Sequence, residues 1–204
     1  MTKAGWWAAI PGRHYCPLFL GTLCVLAGLL PDRFVALLQY RRSAILAGEW
    51  WRIFSGHLVH LGWSHLAMNL LGLWLIWQFF QERGSPSTRC LYRLPLLAIG
   101  TSLGLLFWSP EISWYRGLSG LLHGWLVVAI LRHCGCHPWL NTLLLSLLAA
   151  KLTWEQAAGA LPGSESWTGG AVVVDAHLYG ALSGVILWAL EKSFRLLTHR
   201  EVTE

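Results

Sequence analysis

The sequence predicts an all-α polytopic membrane protein, a bundle of six transmembrane helices that forms one domain over residues 1–204. Two observations carry that expectation. Hydrophobic residues make up 55% of the 204 positions and charged residues 12%, and 14 residues are Trp, a composition suited to lipid rather than water. Apolar runs recur at about 16–30, 58–80, 91–108, 118–131, 139–150 and 171–190, separated by charged or Pro/Gly breaks. A chain of this length holds about six spans of roughly 20 residues each and little else. Any chemistry must therefore come from the bundle itself.

The first run follows Lys3 and Arg13 and leads into Pro31-Asp32-Arg33 without a small-residue cleavage site, so it reads as a retained span. Cys16 and Cys24 within it are expected to act as small hydrophobes, not as part of a disulfide scaffold. The connection from Pro31 to Gly56 is the longest and carries Trp50-Trp51-Arg52, which suits a loop resting in the membrane interface. Arg52 there either pairs with a loop carboxylate such as Glu49 or meets lipid headgroups. The second run contains His60, Ser64-His65 and Asn69. The fourth opens on Gly117-Leu118-Ser119-Gly120 and continues to Gly124, as a central helix closely approached by its neighbours would. The motif His133-Cys134-Gly135-Cys136-His137 looks like a metal site, but as a short loop between two spans it reads as structural, and no metal is expected. Several runs are short of a full span, which suggests tilt or burial inside the bundle. Trp74, Trp77, Trp125 and Trp188 read as lipid-facing or packing residues.

The formal net charge of +5 does not point to nucleic acid, because the basic residues are scattered between apolar runs instead of forming a stripe. Topology accounts for them. With the N-terminus in the cytoplasm, Lys3, Arg13, Arg83, Arg89, Arg93, Arg132, Lys192, Arg195 and Arg200 fall inside. Arg33, Arg41, Arg42, Arg52, Arg116 and Lys151 fall outside, together with the acids Asp32, Glu49, Glu111, Glu155, Glu165 and Asp175. This bias predicts both termini in the cytoplasm.

Ser119 at the head of the fourth run and His177 about two turns into the sixth then share one depth near the outer side. Ionisable and polar groups within spans are costly, so an intramembrane Ser and His are read as functional. His177 is the candidate base and Ser119 the candidate nucleophile of an acyl transfer. Gly180 and Gly184 share a helix face with His177 and would let the sixth helix press against Gly117 and Gly120. His65 and Asn69, four apart on one helix face, can both donate toward a common point, the developing oxyanion. Asp175 lies two residues from His177 and so points away on a helix, which favours a Ser-His dyad over a triad. His60 is expected to support the site or anchor its loop. His123, one turn below Ser119 on the same face, is expected to buffer the dyad or, as the less favoured alternative, to serve as base.

These residues resemble the rhomboid family of intramembrane serine proteases from Trp51 to Gly184. The family's Trp-Arg pair matches Trp51-Arg52, its two His and an Asn on the second span match His60, His65 and Asn69, its Gly-x-Ser-Gly matches Gly117 to Gly120, and its Ala-His-x-x-Gly-x-x-x-Gly matches Ala176 to Gly184. The chain looks most like a rhombosortase, whose serine motif runs on into Leu-His-Gly, as Leu122-His123-Gly124 does here. The resemblance implies a six-span rhomboid-like bundle in a bacterial inner membrane, with a site opening to the periplasmic side. Ser119 would be nucleophile, His177 base, and His65 and Asn69 oxyanion donors, with no cofactor. The implied partners are the lipid bilayer and a transmembrane protein substrate, an exported protein with a C-terminal Gly-Gly motif, one membrane helix and a basic tail. Gly169-Gly170 mimics such a motif but reads as loop glycines entering a helix. A catalytically silent rhomboid-like binder of membrane helices is the alternative. A small transporter would show a repeated half with matched broken helices, and no such repeat is visible.

Overall fold

The computed structural model describes residues 15–80, 88–133 and 137–201. In chain order it holds α1 (Tyr15–Gly28), α2 (Asp32–Leu38), β1 (Tyr40–Arg41), α3 (Arg42–Leu46), α4 (Arg52–Ser55), α5 (Trp63–Phe79), α6 (Thr88–Trp108), β2 (Trp114–Tyr115), α7 (Ser119–Arg132), α8 (Pro138–Ala158), α9 (Ser164–Thr168) and α10 (Val174–Glu201). The protein is mostly helical, with one short antiparallel pair, Tyr40 opposite Tyr115 and Arg41 opposite Trp114. A two-residue ladder has no periodicity to read in a sequence.

Six of the described helices are long. Among the described residues one of them, over Arg89–Trp108, is by itself both long and apolar enough to cross a membrane; Tyr15–Gly28 and Ser119–Arg132 are apolar but shorter. Apolar side chains face outward on the long helices, including Phe19, Trp74, Phe107, Leu147 and Ile186. In water such a surface would aggregate, whereas in lipid it is solvated. α8 begins on Pro138, whose missing N–H costs nothing at a first helical position, and runs through Lys151 and Glu155 to Gly159 at φ 81°. It thus continues beyond the apolar run 139–150. α10 likewise runs beyond its apolar run, to Glu201.

α7 is the centre. Leu121, Leu122, Trp125, Val128 and Ala129 on it join Leu66 and Leu73 of α5, Leu97 and Ala98 of α6 and Leu187 of α10 in the main core. Trp77 meets the buried Trp125 edge to face at 6.1 Å, while Trp74 is exposed. At one end of the bundle Glu191 of α10 receives Arg93 of α6 at 2.6 Å and Arg132 of α7 at 2.6 Å, which ties three helices together. Cys16 and Cys90 form a disulfide between α1 and α6, with Cα atoms 6.3 Å apart. This corrects the expectation that Cys16 is only a small hydrophobe: it is buried as expected, but the two helix starts lie side by side, within bridging range. Cys24 is buried and free. Cys134 and Cys136 of the possible metal motif lie outside the described residues, as do Lys3, Arg13, Arg83 and both chain ends.

The connection from Pro31 to Gly56 is folded onto the approach to Ser119. The buried Arg52 is its hub, pairing with Glu49 at 2.7 Å and donating to the carbonyls of Ala36 at 2.9 Å and Gln39 at 2.8 Å. Of the two roles expected for Arg52, the carboxylate pairing is the one observed. Ser55 Oγ donates to Leu38 O at 2.6 Å, Arg116 Nε donates to Gln39 Oε1 at 2.8 Å, and the N–H of Gly117 donates to Gly56 O at 3.1 Å. Trp50, Trp51 and Phe54 stay exposed on its outer face.

Candidate active site

Ser119 is the first residue of α7. The turn before it depends on Gly117 at φ 135°, a left-handed conformation that side chains disfavour. The Tyr115 hydroxyl donates to Gly117 O and accepts the N–H of Gly120 at 3.3 Å, so the segment is pinned on both sides of the serine.

α7 and α10 meet along glycines. A Cβ on Gly120 would lie 2.7 Å from Ala176 O, and one on Gly124 would lie 2.5 Å from Gly180 O; Cβ atoms on Gly180 and Gly184 would press still harder on the backbone of Gly120 and Gly124. With no side chain in the seam the backbones touch, and His177 reaches Ser119: Nε2 to Oγ is 2.9 Å. The imidazole is buried.

Behind the ring lies a group the sequence reading placed elsewhere. Glu155 of α8 sets its carboxylate oxygens 3.1 Å and 3.0 Å from His177 Nδ1. Lys151 Nζ lies 2.7 Å from Glu155 Oε2, 3.0 Å from His123 Nε2 and 3.3 Å from His177 Nδ1. An ionised carboxylate only accepts and an ammonium only donates. Nδ1–H of His177 therefore donates to Glu155, and Nε2 remains the acceptor for the Ser119 hydroxyl. The charge pattern alone puts Lys151 and Glu155 with the outer polar residues; the structure places them inside α8, with Glu155 buried. A Lys and a Glu four apart in an otherwise apolar helix is the signal that could have found them. Asp175 is held by the Ser109 hydroxyl and faces Gln156 Nε2 at 3.4 Å, so its carboxylate is engaged away from His177.

His123 stacks on His177 with ring centroids 4.3 Å apart and planes at 17°. Its Nδ1 donates to Ser119 O at 2.7 Å and its Nε2 accepts from Lys151, so neither nitrogen is turned to the Ser119 hydroxyl. His65 Nδ1 accepts the N–H of Leu61 at 3.4 Å, which leaves Nε2 as its donor. Asn69 Nδ2 is buried without a hydrogen-bond partner. Both face Gly117, where an added Cβ would lie 2.9 Å from His65 Nε2 and 3.8 Å from Asn69 Nδ2. An imidazole N–H, a carboxamide and the start of α7 thus converge beside Ser119. His60 packs edge to face on His65 at 5.1 Å, a supporting position.

Two spaces open from Ser119. An apolar groove of about 790 Å³ between α5, α7 and α8 runs from Ser119 and Asn69 past Leu122 and Leu144 to His133 and Asn141. On the other side is a recess of about 20 Å³ bounded by His65, Tyr115, Arg116, Thr168 and Val173.

Fold and site define a helical membrane bundle with a hydroxyl–imidazole pair at the start of its central helix. A model of the rhomboid domain matches residues 47–193, and the chain belongs to the rhomboid family, whose members are integral membrane proteins. It is 35% identical over 95 residues to the rhomboid protease GluP of Bacillus subtilis (strain 168), an alignment that spans 47% of this chain and 18% of that relative. The chain thus spans less than a fifth of that relative's length.

Proposed function

We propose that this chain is an intramembrane serine endopeptidase that spans the bilayer with α1, α5, α6, α7, α8 and α10. The observation that carries the reading is the 2.9 Å approach of His177 Nε2 to Ser119 Oγ. In the reaction Oγ attacks the scissile carbonyl while its proton passes to Nε2, and the carbonyl electron pair moves onto oxygen. His65 Nε2–H, Asn69 Nδ2 and the helix-start N–H groups receive that charge. Collapse breaks the C–N bond, the leaving amine takes the proton from His177, and water repeats the sequence in reverse to free the acyl group. Neither metal nor nucleotide is needed.

The apolar groove beside Ser119 supports a membrane helix as substrate. The recess is far smaller than the groove, about 20 Å³ against about 790 Å³, and so favours a small residue such as glycine at the cleavage point. Glycine also lowers the cost of unwinding a helix so that its peptide bond reaches the nucleophile. The groove and the recess agree with a membrane helix preceded by glycine, and the resemblance of Leu122-His123-Gly124 to the rhombosortase motif extends this to exported proteins with a C-terminal Gly-Gly motif, a membrane helix and a basic tail. The charge bias supports both termini in the cytoplasm, and the rhombosortase resemblance adds a bacterial inner membrane with the site opening to the periplasm.

The test is cleavage in liposomes of a substrate bearing a Gly-Gly motif before a C-terminal membrane helix. Wild type is expected to cut it, and Ser119→Ala and His177→Ala, folded as judged by thermal unfolding, are expected not to. Cleavage that survives in Ser119→Ala would refute the serine mechanism. A folded wild type that neither cuts nor takes a fluorophosphonate on Ser119 would leave a silent binder of membrane helices.

A further inference from the structure

We infer that Glu155 completes the site as its third member, a positioning residue that acts on Ser119 through His177. The inference rests on the protease reading and adds to it. Glu155 is brought to His177 by a helix, α8, that carries neither the serine nor the histidine, and its two oxygens lie 3.1 Å and 3.0 Å from Nδ1. A carboxylate buried in a helical bundle is costly unless it is paired. Lys151 supplies the pairing at 2.7 Å, one turn away on the same helix.

A carboxylate at Nδ1 has two effects. It holds the tautomer with the proton on Nδ1, so that Nε2 presents its lone pair to Ser119. It also faces the imidazolium that forms once Nε2 takes the serine proton, while Glu155 itself stays ionised throughout. The groups facing His177 from the surrounding helices are Ser119 and His123 of α7, Lys151 and Glu155 of α8, and His65 of α5. Lys151 is the cation among them. Its placement on Glu155 Oε2 and His123 Nε2 restrains the carboxylate from rotating away and holds His123 flat against the His177 ring. Asp175, the acid nearest to His177 in sequence, is engaged by Ser109.

The experiment follows phosphonylation of Ser119 by a fluorophosphonate probe on full-length protein in detergent. It separates the maximal rate constant from the probe concentration that gives half of it. Wild type, Ser119→Ala, Glu155→Gln, Glu155→Asp and the double variant Lys151→Met/Glu155→Gln are compared, each with its thermal unfolding. In serine proteases of another fold, an amide in place of the carboxylate behind the histidine costs about 10⁴ in rate. Glu155→Gln is expected to lose at least about a hundredfold in the maximal rate with the half-saturating concentration unchanged, and Glu155→Asp to regain part of it. The double variant leaves no lone buried charge, so it keeps its fold where the single variant fails to, and it is expected to be equally slow. Labelling of a folded Glu155→Gln or of the double variant at the wild-type maximal rate overturns the inference. Wild type that takes no label on Ser119 overturns the protease reading and the inference together. Label on Ser119 in wild type with an unimpaired Glu155→Gln leaves the protease reading standing and removes only the third member.

Discussion

Replacing Gly124 with Ala tests whether the glycine seam sets the chemistry. Gly124 lies more than a turn along α7 from Ser119 and touches no reacting atom. Its new Cβ would stand 2.5 Å from Gly180 O and 2.8 Å from Leu97 Cδ2; the leucine can rotate, but the carbonyl is helix backbone. Ordinary contact begins at 3.4 Å, so the two helices must part by about 0.9 Å. A rigid shift of that size stretches the 2.9 Å approach of His177 to Ser119 to about 3.8 Å, beyond hydrogen-bonding reach. A misplacement of about 1 Å costs on the order of a hundredfold in rate, and overpacking costs about 1–3 kcal/mol in stability. The assay is the fluorophosphonate labelling rate of Ser119 beside thermal unfolding. Gly21→Ala serves as control, since its Cβ would meet Leu70 Cδ2 at an ordinary 3.4 Å. Wild-type labelling by a Gly124→Ala protein would show that the seam does not hold the pair in register, and the reasoning would fail.

Three further outcomes are expected. Asn69→Ala should lower the maximal cleavage rate about a hundred- to a thousandfold through loss of an oxyanion donor, with KM little changed; an unaltered rate would remove Asn69 from that role. His57, in the connection before α5, donates through Nε2 to Ser102 Oγ at 3.0 Å, and burial pushes its pKa down from 6.5 to about 4 against the pull of backbone hydrogen bonds. The unfolded chain takes up this proton near 6.5 and the native chain near 4, so the contribution of His57 is complete above pH 6.5 and is lost as pH falls toward 4. Unfolding midpoints of wild type should therefore fall across that window more steeply than those of His57→Asn, and equal slopes would contradict the assignment. Glu191→Gln removes the carboxylate shared by Arg93 and Arg132 and should lower stability by about 3–5 kcal/mol, read as a drop in the thermal unfolding temperature.

Much of the helical layout could be read from apolar runs and their breaks, because lipid leaves the chain few other ways to satisfy its backbone. The approach of Ser119 to His177 was legible for a local reason: glycines at 120, 124, 180 and 184 mark two helix faces that can touch. Glu155 was not legible in the same way. Lys151 ends the apolar run in the sequence, so both charges were assigned to the outer water, whereas the helix continues and each charge satisfies the other within it. The β1–β2 pair was hidden because it joins segments far apart in the chain, whereas at Arg52 the pairing with Glu49 was local enough to anticipate and only the carbonyls of Ala36 and Gln39 were not. The Cys16–Cys90 link joins positions 74 residues apart, and no local pattern announces it.

The brevity of α7 has a consequence for the lipid around it. Its 14 residues rise about 21 Å, whereas the hydrocarbon layer of a typical bilayer is about 30 Å thick. The missing third is filled at the serine end by the segment from Ser109 to Leu118, braced by the folded connection ahead of α5. That segment carries backbone amides and the Tyr115 hydroxyl, which is buried and engaged by Gly117 and Gly120. If α7 spans the bilayer as proposed, this segment takes up the missing third within the protein, and water for a hydrolysis need reach only the serine end, without a pore through the whole layer.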